Sequence, residues 1–523
     1  APPGFVMSNW MGYHKGTGDL LGQYWRMVTL GFDSVWFWRW SNLGPYKKFV
    51  SYHGLINGAM VPFRAVKEMV KDTQVVRDGL GVLLQECRRE DGGIAMLYSF
   101  PSQFAIDTGP GISYGDAKGH EMDPLKDHPN RDGKESLIVY EKNHISWHRS
   151  LRAVGLNFSY VTDRMLRLGE FNPGKYKVVI LSQIEALGKT EADILRRFVA
   201  EGGVVMADIR PAVYDGHCKR SEPGTLDDLF GIRRISDSHA SITGGTVNGM
   251  LGGTPISVSL PELKVDPGIE VTSGKPTGMA GSVPLCIVNE IGKGQAILLN
   301  FAMDSFPLIN TKDVPEGAVG FIRALLASAG VMPEVILTGE KGQAVVDTEV
   351  TLWRGPGGVD FVSFFGGMSM GRGRRILYVA EDETVNVKLS RARHVYDFRA
   401  DRYLGHTDRF TTRKLGNRAT FLVMSDKKLN PPVMNASRVD WRRGKPGSVG
   451  LAYPGSGASH AVRLELYHPD GARAEWQDQV LLIPPGGTNA VVPVAHNDPA
   501  GAWTVRAHDL YTGEAVDAKI SVR

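Results

Sequence analysis

The sequence predicts a mixed protein, α/β over its first two-thirds and all-β over the rest. Three observations carry that prediction. Short apolar runs at 94–100, 157–161, 177–181, 204–207 and 292–300 alternate with helical patterns, which implies a parallel sheet covered by helices. Upstream, a unit of helix, buried strand, loop and helix is centred on Asp33-Ser-Val-Trp-Phe-Trp-Arg-Trp40 and reads as the end of a β/α barrel. Beyond about residue 344 only short strand-like runs remain, separated by Gly- and charge-rich turns.

Residues 1–88 are the expected C-terminal part of a (β/α)8 barrel. Leu20, Leu21, Tyr24, Trp25 and Val28 recur at three- and four-residue steps, as do Phe63, Val66, Met69 and Val70, so both stretches should be helical. Between them the aromatic strand stops at Ser41-Asn42-Leu43-Gly44-Pro45. A complete barrel takes about 250 residues, so only its last part is expected here. Barrel chemistry sits where strands end. That edge carries Trp38, Arg39 and Trp40, equipment for stacking on and hydrogen-bonding to a sugar. The same side chains also fit as packing in a barrel wall.

Residues 89–335 form the α/β domain. Strand 94–100 is followed by a long polar loop, 109–143, then helix 145–154, stopped by Gly155. Strands 157–161 and 177–181 follow. Thr190-Glu-Ala-Asp193 opens the next helix as a capping-box variant with Asp in place of Glu or Gln. Leu195, Phe198 and Val199 face its core, and Gly202-Gly203 ends it before strand 204–207. Residues 232–290, rich in Gly, Ser and Thr, read as a β insertion containing the alternating run 256–260, and helix 317–329 closes the domain. A small β domain at 336–430 should hold strands at 345–354, 361–365, 376–379, 385–389, 394–398 and 419–424. Asn430-Pro-Pro432 reads as a linker to an immunoglobulin-like sandwich at 431–523.

Composition narrows the function classes. Sixty Lys and Arg face 56 Asp and Glu, a net charge of +4, so nothing calls for nucleic acid or an anionic membrane. No apolar run approaches the roughly 20 residues needed to cross a bilayer. Cys87, Cys218 and Cys286 are too scattered for a disulfide framework or a metal set. There is no Gly-x-Gly-x-x-Gly after a strand and no phosphate-binding Gly-Lys-Ser/Thr loop, so no cofactor is expected. The loop around His120, Glu121, Asp123, Asp127, His128, Asp132, Glu135, His144 and His148 has no metal-ligand spacing and reads as a solvated connection. A glutaminase would need a cysteine on a strand-to-helix elbow. Cys218, in Asp215-Gly-His-Cys-Lys219, lies in a loop well past strand 204–207. The chain opens at Ala1 without a charged, then apolar leader, which reads as processed, trimmed or internal to a longer protein.

The order of parts resembles glycoside hydrolase family 42, the β-galactosidases with a flavodoxin-like trimerisation domain. The stretches that carry the resemblance are Asn9-Trp10, Gly31 to Trp40, His53-Gly54, Ser146-Trp-His-Arg-Ser-Leu151, Tyr176 to Leu181, Phe198 to Gly203, and Tyr396-Asp-Phe-Arg399 with Tyr403-Leu-Gly405. It covers about residues 5–428 and leaves the last sandwich as an added module. It implies a retaining glycosidase, a carbohydrate substrate, a homo-oligomer (a trimer), and a sugar-pocket wall made of Trp10, Trp38, Arg39, Trp40 and His53. It also implies two carboxylates about 5–5.5 Å apart, one acid/base and one nucleophile.

Those carboxylates are expected outside this sequence, in an upstream segment or a companion chain. Asp19 opens a helix, where a carboxylate suits the dipole; Asp33 begins the strand, at the wrong end; Glu68 is mid-helix. The family nucleophile precedes its Asn-Trp pair by roughly eight residues, a position held here by Pro2. A family glutamate three residues before the matching histidine binds sugar hydroxyls. Val50 stands there in Phe49-Val-Ser-Tyr-His53, so that carboxylate is missing and the resemblance extends to a β-linked sugar, galactoside-like or modified, rather than to galactose itself. The nearby Lys47 and Lys48 would tolerate an anionic one. The competing expectation is a non-catalytic carbohydrate-binding or assembly scaffold with a degenerate barrel.

Overall fold

A computed structural model describes residues 8–11, 17–37, 40, 54–57, 59–108, 139–235, 240–303, 306, 317–366, 379–435 and 440–523. The chain divides into two compact units, Asp91–Glu334 and a discontinuous one made of Ala1–Glu90 with Val335–Arg523.

The discontinuous unit opens with a parallel pair, β1 (Ser8–Met11) and β2 (Ser34–Phe37), with Trp10 in register with Trp36. Parallel strands need a crossover, supplied here by helix α1 (Thr17–Leu30). It buries Leu20, Leu21, Tyr24, Trp25 and Met27. Helix α2 (Arg64–Val75) runs through a π-bulge at Val76–Leu80 into α3 (Gly81–Gln85) and the short strand β3 (Arg88–Arg89). At the bulge Gly79 has a φ of 147°, and a Cβ there would lie 1.9 Å from Leu510 Cδ1, so only glycine allows this approach. Val70, expected on the buried stripe of α2, is exposed, whereas Asp72 is buried. The reason is polar. Trp25 Nε1 donates to Asp72 Oδ1 at 2.9 Å, Arg399 Nη2 donates to the same oxygen at 3.1 Å, and Arg418 Nε donates to Oδ2 at 2.9 Å.

The Asp91–Glu334 unit is built on one nine-stranded sheet. Its elements begin with β4 (Ile94–Tyr98), α4 (Phe100–Thr108), α5 (Val139–Ala153), β5 (Ser159–Thr162), α6 (Asp163–Arg167), β6 (Val178–Leu181), α7 (Lys189–Ala200), β7 (Val204–Ala207) and α8 (Asp227–Phe230). Then come β8 (Ile232–Arg234), β9 (Ala240–Leu251), β10 (Thr254–Val265), β11 (Ile269–Val271), β12 (Lys275–Ala280), β13 (Val283–Ile291), β14 (Gly294–Leu299) and α9 (Ala318–Ser328). Five strands are parallel in the order β5-β4-β6-β7-β14; β13, β12, β9 and β10 extend the sheet antiparallel, and β8 pairs with β11 apart from it. Strands β6 and β7 are buried at every position, as continuous apolar runs in a covered parallel sheet should be.

Three local expectations are corrected in this unit. Phe100 starts a helix rather than ending a strand; α4 exposes Phe100 and Phe104, so it has no apolar stripe for periodicity to find. Helix α5 begins at Val139, not 145, and buries Tyr140, Asn143, His144 and Trp147. The N-cap of α7 is Gly188 rather than Thr190, with the Glu191 carboxylate lying over it.

The second part of the discontinuous unit contains β15 (Val335–Gly339), β16 (Thr348–Arg354), β17 (Val359–Gly366), β18 (Glu383–Asp397), β19 (Arg402–Lys414) and β20 (Ala419–Ser425). They form a sheet in the order β15-β18-β20-β17-β16-β3, with β19 on β18. The runs 385–389 and 394–398, expected as two strands, belong largely to β18, which stays continuous through a register irregularity between Lys388 and Arg393. Of the strand expected at 376–379, Val379 lies outside any strand and the other positions lie outside the described residues. The chain ends in β21 (Val433–Asn435), β22 (Gly447–Ala452), β23 (His460–Tyr467), β24 (Gln479–Ile483), β25 (Thr488–Val492), β26 (Gly501–Asp509) and β27 (Ala515–Val522). These make two sheets, β21-β22-β25 and β24-β23-β26-β27, around a core containing Trp441, Val449, Leu464, Trp503 and Val505.

Removing Asp72 leaves two guanidinium groups without their buried carboxylate, and losing one partner of such a set costs about 3 kcal/mol or more. Asp72→Ala should lower the unfolding midpoint of the discontinuous unit. Hydrogen exchange should show early opening of α1, α2 and β20, with β4, β6 and β7 unchanged.

Candidate functional site

Of the sugar-pocket residues expected from sequence, Trp10 and Trp40 are among the described residues. Trp10 is in β1 beside Trp36. Trp40, three residues beyond β2, is 65 % exposed, and its carbonyl accepts the backbone N–H groups of Leu55 and Ile56 at 3.1 and 3.0 Å. Trp38, Arg39 and His53 lie outside the described residues. Trp36 was missed by the sequence reading and is 67 % exposed. Its signal was parity. Val35 and Phe37 pack on the core, so Trp36 points to the opposite face, the face that even-numbered positions of this strand share.

The acids of this region are engaged elsewhere. Asp19 lies in the first turn of α1, and Asp33 precedes β2 at the end opposite Phe37. Glu68 Oε2 lies 3.3 Å from Lys71 Nζ on α2. The sequence reading passed over Asp72 and Asp78; the first is the buried arginine partner described above, and the second accepts from Gln74 Nε2 at 2.8 Å.

A second concavity lies at the C-terminal ends of β4 and β5, where ligands of open parallel sheets commonly bind. Tyr98, Gln103, Tyr140, His144, Tyr160 and Thr162 line a cleft of about 480 Å³. Tyr98 Oη donates to Gln103 Oε1 at 2.5 Å, and Tyr140 Oη accepts the Ser99 N–H at 2.9 Å. His144 packs 4.3 Å from Tyr140 between ring centroids and meets the Ser182 hydroxyl through Nδ1 at 3.3 Å. Burial pushes the Tyr140 and Tyr160 phenols up and the His144 imidazole down, so all three stay neutral near pH 7. Neutral rings, an amide and hydroxyls can hold a flat or polyhydroxylated ligand; they supply no charged acid/base pair.

The turn after β6 carries Gln183 at a φ of 47°. Its N–H donates to buried Asp208, which also accepts from Trp147 Nε1 at 3.0 Å and from the Asn143 amide. The turn after β6 thus carries a glutamine and not a thiol. Cys218 sits elsewhere, its Sγ 3.3 Å from the Pro101 carbonyl, and burial with Asp215 nearby raises its pKa, which disfavours the thiolate. The acidic and histidine residues of the preceding loop, His120 to Glu135, lie outside the described residues; among the described residues no cluster suited to a metal ion occurs.

Because His144 is held below its ordinary pKa, the unfolded chain takes up the proton first. Its contribution to stability is therefore present above about pH 6.5 and is lost as the pH falls below that value. His144→Phe should flatten the pH dependence of this unit's thermal midpoint between about pH 7 and 5, read by differential scanning calorimetry.

Comparison with known protein families finds no matching model, and comparison with curated proteins finds no relative. Solved structures do match. The β-galactosidase from Bacillus circulans sp. alkalophilus superposes with a TM-score of 0.56 at 16 % identity, covering 80 % of this chain and 55 % of that one. A catalytic mutant of the GH42 β-galactosidase Gan42B from G. stearothermophilus gives 0.54 at 16 %, covering 79 % and 51 %, and the cold-adapted β-galactosidase from Rahnella sp. R3 gives 0.52 at 16 %, covering 78 % and 51 %. This chain spans about half the length of each of these three structures. Over about 80 % of its own length it shares its fold with family 42 β-galactosidases.

Proposed function

We propose that these residues are the C-terminal portion of a retaining glycoside hydrolase of the family 42 type, acting on a β-linked galactoside-like or modified sugar. The observation that carries the reading is the shared fold, joined to the composition of the β1/β2 edge. In a barrel the helices cover the outer face, so the face of β2 opposite Val35 and Phe37 is the lumen side. Trp36 lies on that face, and with Trp10, Trp38, Arg39, Trp40 and His53 it would form one wall of the sugar pocket. The acid/base and nucleophile carboxylates would come from outside these 523 residues. Attack at the anomeric carbon and hydrolysis of a glycosyl-enzyme intermediate follow from that assignment.

In the same reading, residues 1–88 complete a barrel and 89–335 form a flavodoxin-like trimerisation domain. The order of its parallel strands, first strand between second and third, supports the comparison. Residues 336–430 form the small β domain and 431–523 an added immunoglobulin-like sandwich. The assembly would be a homotrimer.

The test uses protein purified from its native source, with intact mass and N-terminal sequence determined before assay on p-nitrophenyl β-glycosides. Turnover by a species carrying further barrel strands supports the proposal. Trp40→Ala in that species should raise KM about threefold to tenfold, the loss of one aromatic contact of about 0.5–1.5 kcal/mol. A species of 57.2 kDa that binds sugar without turnover would overturn it in favour of a non-catalytic scaffold.

A further inference from the structure

The C-terminal sandwich holds a serine, a histidine and an aspartate in the order nucleophile, base, orienting carboxylate. Ser456 Oγ lies 2.9 Å from His460 Nε2, and His460 Nδ1 lies 3.1 Å from Asp509 Oδ2. His460 opens β23 and Asp509 closes β26, and these strands are paired, so the sheet sets the spacing between base and carboxylate. Histidine and aspartate are fully buried, while Ser456, on the turn before β23, is partly exposed.

The hydrogen bonds fix the proton positions. Asp509 Oδ1 accepts from Tyr511 N, Thr512 N and Thr512 Oγ1 at 2.9, 2.7 and 2.9 Å, and Oδ2 accepts from Tyr453 Oη at 2.5 Å. An ionised carboxylate can only accept, so His460 Nδ1 carries the hydrogen and Nε2 presents a lone pair to Ser456. Tyr453 stacks on the imidazole at 3.7 Å between centroids, 17° from parallel, which holds the ring plane. The Ser456 hydroxyl has a second acceptor, the Ala458 carbonyl at 3.2 Å, and it accepts the Ala458 N–H at 3.2 Å; His460 is the nearer acceptor. Nucleophile, base and orienter within hydrogen-bond reach are the geometry of covalent acyl transfer.

A network that only braced a turn could end in a sealed core. This one opens on a cleft of about 420 Å³, walled by the glycine loops Gly357-Gly358 and Gly455-Ser456-Gly457 and by Lys427, Lys428 and Asn430. Its apolar lining residues, Val359, Leu429 and Ala458, are buried, so there is no slot for a long acyl chain.

We propose that this cleft is a serine esterase site for short-chain carboxylic esters of a polar alcohol. Ser456 Oγ attacks the ester carbonyl carbon as its proton passes to His460 Nε2. The tetrahedral intermediate collapses, the bond to the alkoxy oxygen breaks, and the imidazolium returns the proton to the departing alcohol. Water, deprotonated by the same nitrogen, then releases the acid and restores the serine. One ester and one water give one acid and one alcohol. The two glycine loops are the source of backbone N–H donors for the oxyanion.

The test treats the full chain with a fluorophosphonate probe, maps the adduct by mass spectrometry, and follows p-nitrophenyl acetate hydrolysis. Because Asp509 also braces the fold, the partly exposed serine carries the substitution, with an unchanged thermal midpoint as its folding control. Wild type should be labelled on Ser456. Ser456→Ala should lose the label and at least about 100-fold of the ester turnover. An unlabelled Ser456 in folded protein, or equal turnover in Ser456→Ala, would overturn the proposal whatever the glycosidase assays show.

Discussion

The buried carboxylate of Asp72 is the constraint that makes one body of two distant parts of the chain. It takes the indole N–H of Trp25 from α1 and the guanidinium groups of Arg399 and Arg418, which flank the β18–β20 region. Arg399 also lies over the Trp25 ring, 5.1 Å from its centroid. A charge in this position is costly unless every neighbour answers it. Once answered, it fixes the angle at which α1 and α2 meet the sheet. Strand β3 adds a second tie by pairing with β16.

The legible parts of the sequence were those where burial writes a continuous apolar pattern. Strands β4, β6, β7 and β14 were read correctly because both faces of a parallel sheet are covered, and α1 was read from its unbroken stripe. What escaped was polar or half-exposed. Helix α4 shows its phenylalanines to solvent, the first turn of α5 hides behind Asn143 and His144, and β19 alternates too weakly to be picked out. Asp72 escaped for a different reason: its two arginine partners are more than 300 residues away in sequence, and no local pattern encodes that distance.

The candidate sites divide in the same way. The β1/β2 edge was visible because Trp36, Trp38 and Trp40 crowd one short stretch of sequence, and alternation within β2 sets Trp36 on the face opposite Val35 and Phe37. The aromatic cleft of the α/β unit draws Tyr98, Tyr140 and Tyr160 from three elements, so only the sheet order brings them together. In the sandwich, Ser456 and His460 are four residues apart, a spacing without meaning in a turn-to-strand junction until β26 delivers Asp509 beside it.

The buried carboxylates of this protein sort by what answers them, and the sorting bears on chemistry. Asp72 and Asp360 are each met by two arginines, which keep their charge at any accessible pH and so can neither take nor give a proton. Asp208 is met by amide and indole donors, which likewise hold their protons. Asp509 differs because one of its donors is an imidazole whose second nitrogen lies within hydrogen-bond reach of a hydroxyl. The hydroxyl and backbone donors around Asp509 fix that carboxylate, the carboxylate fixes the imidazole, and the free nitrogen faces a hydroxyl on an open cleft. Of these four buried aspartates, Asp509 is the one whose partners give it a reason to be there beyond holding the fold.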